Sequence, residues 1–200
     1  MKRMSWTVDR VLPYLLLVGG AIGVMLAMAL TVEKISLLEN PQAILSCDIN
    51  PIISCGSVIN TPQASALGVP NTLIGIIGFS AVATIGAALL AGARFKRWFW
   101  RGLQVGVTFG IIAVTWLQYQ SIYVIGALCP FCMAVWTVMI PIFLYTTLYN
   151  LQNSMFQIWR VPDRAITWVR RNHLGILIMW YLVIVAAILE RFWDYWSTLL

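Results

Sequence analysis

The chain has 200 residues, 60% of them hydrophobic and only 10% charged, with 10 Trp. That balance excludes an ordinary soluble domain, in which roughly a quarter of residues are charged, and places the chain in a bilayer. The net charge of +6 is therefore read for where it falls along a membrane chain, as a guide to orientation and not as a nucleic-acid surface.

A hydrocarbon core about 30 Å thick needs roughly 20 apolar residues per helix. Five stretches meet that requirement, at about 12–32, 71–92, 102–124, 128–149 and 174–192. Lys2, Arg3 and Arg10 precede the first, which contains Ala27-Met28-Ala29. This pattern also fits a cleavable signal, but the apolar run exceeds the usual h-region of about 7–15 residues, so a retained span is expected. Within it, Gly19 and Gly23 have the spacing that lets membrane helices approach closely.

A long outer loop, 33–70, follows, with Cys47 and Cys55 in "CDINPIISC" and then "GSVINTPQASALGVPN". Long loops of this kind are often functional. Ser57 to Leu67 reads as a half-helix at the membrane surface, with Val58, Ile59, Ala64 and Leu67 as apolar anchors, forming a cap over the bundle. Pro70 and Asn71 can begin and cap the second span. Arg94, Lys96, Arg97 and Arg101 separate the second and third spans, where Trp98 and Trp100 read as interfacial anchors. Gly106 and Gly110 repeat the small-residue spacing in the third span. Arg160, Arg164, Arg170 and Arg171 lie before the fifth, beside the sole histidine, His173, which reads as an exposed flank residue. Trp193, Tyr195 and Trp196 anchor its far end.

Of the 13 basic residues, 11 thus fall on one side, which the positive-inside rule assigns to the cytoplasm. Cys47, Cys55, Cys129 and Cys132 then all lie in, or at the edge of, the opposite, oxidising compartment. In "LCPFC", Leu128 to Cys132, Pro130 suits the first helical position. Cys129 becomes the N-cap, exposed to the loop, and Cys132 points one turn down into the bundle. Backbone N–H groups and the helix dipole at such a position favour thiolate. Simple packing of small apolar side chains is an alternative for this pair. For Cys47 and Cys55 the alternative is a structural disulfide, worth roughly 2.5 kcal/mol for a nine-residue loop on the entropic model. A four-cysteine zinc site would compete with disulfide formation in that compartment. Two pairs on one face suggest thiol–disulfide exchange.

Such a relay needs a two-electron partner at its membrane end. The sequence has no C-x-x-C-H haem site and no G-x-G-x-x-G between strand and helix, so the partner is expected to be lipid-soluble. A strong extracytoplasmic oxidant sits near about −120 mV, a couple that a quinone can drain and glutathione cannot.

The C-x7-C loop pair, the "SCGSVINTPQA" that follows, the "GVPN" opening of the second span and the later C-x-x-C resemble the vitamin K epoxide reductase family. The resemblance is to its bacterial branch and covers about residues 10–150. The DsbB family performs the same exchange with the pairs in reversed order, and is an analogue. The resemblance implies that Cys47 and Cys55 exchange with a thioredoxin-fold (DsbA-like) partner and pass electrons to the C-x-x-C pair. Cys129 would meet Cys55 in a mixed disulfide and Cys132 would face the quinone. It also puts Thr61 at a hydroxyl position and Asn71 at an amide position toward the quinone carbonyl; a plain helix cap is the alternative for Asn71. Vertebrate members carry a tyrosine where this chain has Trp136, which can stack on a quinone but offers no phenol. Many bacterial relatives carry a fused thioredoxin-like domain after the fifth helix. The chain ends at Leu200 without one, so a separate partner is expected.

The expectation is an all-α membrane protein, N-in and C-out, built as a four-helix transmembrane bundle plus a fifth transmembrane helix under an outer capping loop. Residues 1–150 would form the catalytic domain, and 151–200 a cytoplasmic connector, the fifth helix and a short outer tail. The expected activity is quinone-dependent thiol oxidation in the cell (inner) membrane, with the site facing the periplasm or extracytoplasmic side. The acceptor would be ubiquinone, plastoquinone, phylloquinone or menaquinone, with no metal. A membrane scaffold with structural disulfides, or a quinone or quinone-epoxide reductase proper, are the competing readings.

Overall fold

The computed structural model describes residues 5–50, 52–153 and 162–197; Lys2, Arg3 and Arg160 of the charge pattern lie outside them. Among the described residues five helices are long and apolar enough to cross a membrane. In chain order the helices are α1 (Ser5–Glu39), α2 (Cys55–Ile59), α3 (Asn71–Leu90), α4 (Arg97–Tyr119), α5 (Pro130–Gln152), α6 (Asp163–Arg171), α7 (His173–Arg191) and α8 (Trp193–Ser197). The chain is an all-α membrane bundle.

α1 has 35 residues, about 52 Å at 1.5 Å per residue, which exceeds a hydrocarbon core. Glu33 and Lys34 do not end it, because beyond the core a helix carries charge freely. The outer loop therefore starts at Asn40 and not at residue 33. α1 and α3 pack closest of all, and glycines make this possible. A Cβ on Gly20 would stand 2.5 Å from the Ala83 backbone nitrogen, and one on Gly86 2.3 Å from that of Leu17. Gly23 lies under the Phe79 ring and Gly19 against Ile142. The expectation for α4 is corrected: a Cβ on Gly106 would meet nothing within 4 Å, and Gly110 faces only the flexible end of Met139.

Leu12 and Leu16 of α1, Phe79 and Val82 of α3, Val107 and Ile111 of α4, and Ile140 and Ile142 of α5 form the core. Trp100 belongs to it as well. Only 2% exposed, it stacks on Tyr149 with ring centroids 4.2 Å apart, so its assignment as an interfacial anchor is corrected. Trp98, two residues earlier and some 200° around the helix, is exposed as an anchor should be. Some polar side chains inside the bundle pair with one another: the Asn150 amide donates to Gln104 Oε1 at 2.9 Å, and Gln104 Nε2 donates to Thr147 Oγ1 at 2.9 Å, whereas Asn150 Oδ1, Thr146 Oγ1 and Gln118 Nε2 are buried without a partner among the described residues.

None of the described residues of α7 is fully buried. The helix lies along α5, where Tyr181 donates to the Thr137 carbonyl at 2.8 Å and Trp180 meets Phe143 edge-on. His173 is half-buried, its Nδ1 2.8 Å from the Arg170 carbonyl and its ring against Tyr145, which corrects its reading as a plainly exposed residue.

Candidate functional site

All four cysteines gather at one end of the bundle. Cys129 is the N-cap of α5 and Pro130 its first residue, as the proline dictates. The Cys132 backbone N–H donates to Cys129 Sγ at 3.4 Å. The Cys132 thiol, first, and the N–H groups of Cys132 and Phe131 hold the Cys129 thiol below its usual range against the opposing effect of burial.

The outer loop folds down over this point. A short parallel bridge pairs Ile53 with Leu128, through hydrogen bonds from Leu128 N–H to the Ile52 carbonyl at 2.7 Å and from Ser54 N–H to the Leu128 carbonyl at 3.0 Å. Ser54 then caps α2, accepting from the Ser57 N–H, so Cys55 enters the helix directly above Cys129. Cys47 and Cys55 are joined in a disulfide, and Cys55 Sγ lies 3.2 Å from Cys129 Sγ. The sequence expectation that Cys129 stands exposed to the loop is corrected: Cys129 and Cys55 are both 0% exposed, because the docked loop, Leu30, Leu37 and Ile59 seal them in. Asp48, between the loop cysteines, accepts from Ser54 Oγ at 2.8 Å and from Gly56 N–H at 3.1 Å. Burial opposes ionisation there, but these hydrogen bonds outweigh it and hold the carboxyl below its ordinary value.

On the other side of Cys132 is a cavity of about 130 Å³. Ala27, Leu30, Phe79, Val135 and Trp136 give it apolar walls, and Thr61, Gln63, Asn71, Thr72 and Ser121 supply polar groups. It is smaller than the ~300–1,000 Å³ of a drug-sized site. The three residues singled out beside the cysteines, Thr61, Asn71 and Trp136, all line it with Cys132.

Its roof departs from the expected half-helix over Ser57 to Leu67. α2 stops at Ile59, and Thr61 is extended, φ −85° and ψ 152°, before a 3₁₀ turn over Pro62–Ser65. Pro62 is the reason, since a proline disfavours helical backbone in the residue before it. Of the expected anchors, Ile59 is buried but Leu67 is 62% exposed. Three hydrogen bonds hold the turn: Lys34 Nζ to Ser65 Oγ at 3.1 Å, Gln63 Nε2 to Gln120 Oε1 at 3.5 Å, and Asn71 Nδ2 to the Gln63 carbonyl at 2.7 Å. Asn71 is therefore not the helix cap; Pro70 occupies that position. Sequence reasoning missed Gln63, Thr72 and Ser121, whose only signal was a polar side chain beside an apolar run.

Asn71→Ala is expected to lower turnover more than it lowers folded yield, because the lost bond holds the cavity roof and ends no helix. Turnover measured against melting temperature in the same detergent checks this. A loss of activity only in proportion to folded protein would leave Asn71 a structural residue.

A sequence model of the vitamin K epoxide reductase family matches residues 14–147, the stretch that contains the cavity and all four cysteines. The chain belongs to the vitamin K epoxide reductase family. No curated protein matches it. Membership makes it a multi-pass membrane oxidoreductase of a family whose chemistry involves quinones. Among the described residues no group of three or more His, Cys, Asp or Glu is placed to hold a metal ion.

Proposed function

We propose that the protein is a quinone-dependent thiol oxidoreductase that reoxidises a separate thioredoxin-fold, DsbA-like partner and so drives disulfide formation. The observation that carries this reading is the 3.2 Å approach of Cys55 Sγ to Cys129 Sγ, with Cys132, one turn further on, lining the cavity. Thiol–disulfide exchange needs just such sulfur contacts.

The partner's dithiol reduces Cys47–Cys55. Cys55 thiolate attacks Cys129 of an oxidised Cys129–Cys132 pair, releasing Cys132. Cys47 then attacks Cys55 of the Cys55–Cys129 bond, releasing Cys129. A lowered pKa makes Cys129 a good leaving group in that last step. The arrangement with Cys47–Cys55 joined and Cys129 and Cys132 free is the product of this transfer. A quinone, when bound in the cavity, supplies the sink for two electrons. Cys132 would deliver them, Trp136 and Phe79 exclude water, and Asn71, whose amide has a second N–H beside the one given to Gln63, would be the polar group toward a carbonyl, joined by Thr61 once its hydroxyl leaves the Val58 carbonyl.

Vesicles containing the protein and a quinone should form quinol when given a reduced thioredoxin-fold protein, and none should form with any of the four cysteines replaced by serine. Quinol formation that survives Cys47→Ser or Cys55→Ser with that partner would remove the loop pair from the route.

The orientation we infer is N-terminus cytoplasmic, with the cysteine end periplasmic or extracytoplasmic, in the cell (inner) membrane. It rests on the basic residues, Arg94, Lys96, Arg97 and Arg101 among them, at the opposite end. Because the native cysteines are buried or half-buried, exposed positions make the test. In a chain with its own cysteines replaced, Gln42→Cys should react with an impermeant maleimide in intact cells and Arg94→Cys only after lysis. The reverse pattern would invert the protein.

A further inference from the structure

Cys47 is the loop sulfur a partner must reach, yet it is 4% exposed, and Leu45 beside it 3%. The residues around them are placed the opposite way: Ile44 is 90% and Ile49 70% exposed. Two isoleucines are thus held out from an otherwise well-packed segment, on either side of the reactive disulfide. Next to them Leu45, Ile59 and the cysteines are buried against Leu30 and Leu37, and the other exposed apolar residues of the loop, Leu67 and Val69, lie some twelve or more residues beyond the disulfide in sequence.

Lipid is a poor explanation for this exposure. From Ala27, on the cavity wall, α1 climbs roughly 18 Å to Glu39, passing Glu33 and Lys34. Ile44 follows Glu39-Asn40-Pro41-Gln42-Ala43, with Pro41 and Gln42 exposed, and so lies beyond both these charges and the last exposed apolar residues of α1, Ile35 and Leu38. The segment is also hung on polar links that can exchange with water. The Ser46 hydroxyl donates to the Glu33 carboxylate, and Asp48 holds Ser54 and Gly56 on the far side of Cys47. Lifting Cys47 means breaking those links and drawing Leu45 away from Leu30 and Leu37, while the helices themselves stay formed.

We propose that residues 44–49 are the docking element for the thioredoxin-fold partner, Ile44 and Ile49 seating on an apolar surface around the partner's reactive cysteine while Cys47 is presented between them. This rests on the proposed function. Seating the isoleucines provides the driving force to hold the segment lifted from Glu33, so that a bulky partner gains a path to Cys47 that a small dithiol gains from transient opening alone. The partner's thiolate then attacks Cys47 Sγ, the Cys47–Cys55 bond breaks, and Cys55 departs as thiolate. The partner's second thiol attacks its own mixed-disulfide sulfur, so that the partner leaves oxidised and Cys47 is left reduced. The two electrons, now on Cys47 and Cys55, go on to Cys129–Cys132 and the quinone.

The test compares two reductants on one preparation in vesicles with a quinone: reduced DsbA, and dithiothreitol, which is too small to need a docking surface. Ile44→Ser/Ile49→Ser should raise the KM for DsbA roughly tenfold or more, the scale set by losing the burial of one aliphatic side chain, and leave quinol formation from dithiothreitol unchanged. An unchanged KM for DsbA would overturn the docking assignment alone. Equal slowing with both reductants would do the same, since it reports damage to the site or loss of a lipid anchor. A wild-type protein that forms no quinol from either reductant would overturn the proposed function, and the docking assignment with it.

Discussion

Cys132→Ser should abolish quinol formation and allow the Cys55–Cys129 disulfide to accumulate. Cys129 Sγ lies 3.2 Å from Cys55 Sγ, so attack on the loop disulfide needs almost no motion, and the serine removes the thiol that would resolve the product from the membrane side. Only Cys47 remains to reverse the step, and N-ethylmaleimide added at lysis blocks it once it is released. Cys129→Ser should be equally inactive but for a different reason: it leaves Cys47–Cys55 intact and disconnected from Cys132. Non-reducing peptide maps of the two variants distinguish them, because only the first should contain the cross-link. A Cys47–Cys132 link in a Cys129→Ser chain that still turns over would reverse the assigned order.

The second large effect concerns the frame that holds the site. Gly86→Ala should be strongly destabilising, near or above the top of the ~1–3 kcal/mol usual for overpacking. The new methyl would stand 2.3 Å from the Leu17 nitrogen and 2.8 Å from the Pro13 carbonyl, and backbone cannot step aside as a side chain can. α1 would have to part from α3, opening the wall of the cavity that Ala27, Thr72 and Gly75 share. Gly106→Ala, with nothing within 4 Å of the added carbon, should be neutral or slightly stabilising, since alanine favours helix over glycine by about 1 kcal/mol. Melting temperatures of the pair check the contrast; equal losses would mean that the α1–α3 contact does not limit stability.

These residues also mark how far the sequence can be read. The spans were legible because hydrocarbon thickness sets their length, and the α5 cap was legible because Pro130 fits only one place in a first turn. Which glycines touch a neighbour was not legible: Gly19, Gly23, Gly106 and Gly110 share a spacing, and only the partner helix distinguishes them. Trp98 and Trp100 flank the same span end, and the rotation of α4 alone decides which meets Tyr149 and which meets the interface. The four cysteines stood out by their spacing and Thr61, Asn71 and Trp136 by the family resemblance alone, and the cavity brings Cys132 and the last three together. The burial of Cys129 was hidden because it comes from the Ile53–Leu128 bridge, a contact between distant segments with no local signature. The break in the roof was legible in principle, since Pro62 follows Thr61, but the apolar spacing of Val58, Ile59 and Ala64 masked it.

The most direct test of the electron route is the order in which disulfides form. Fully reduced protein in vesicles, mixed with excess quinone and no partner, is quenched with acid at increasing times, alkylated and mapped by mass spectrometry. Cys129–Cys132 should form first, then Cys47–Cys55 as the oxidising equivalent moves outward, with two quinols released per chain once both pairs are joined. Cys47–Cys55 forming first, or forming in a Cys132→Ser chain at the wild-type rate, would contradict a route through Cys132.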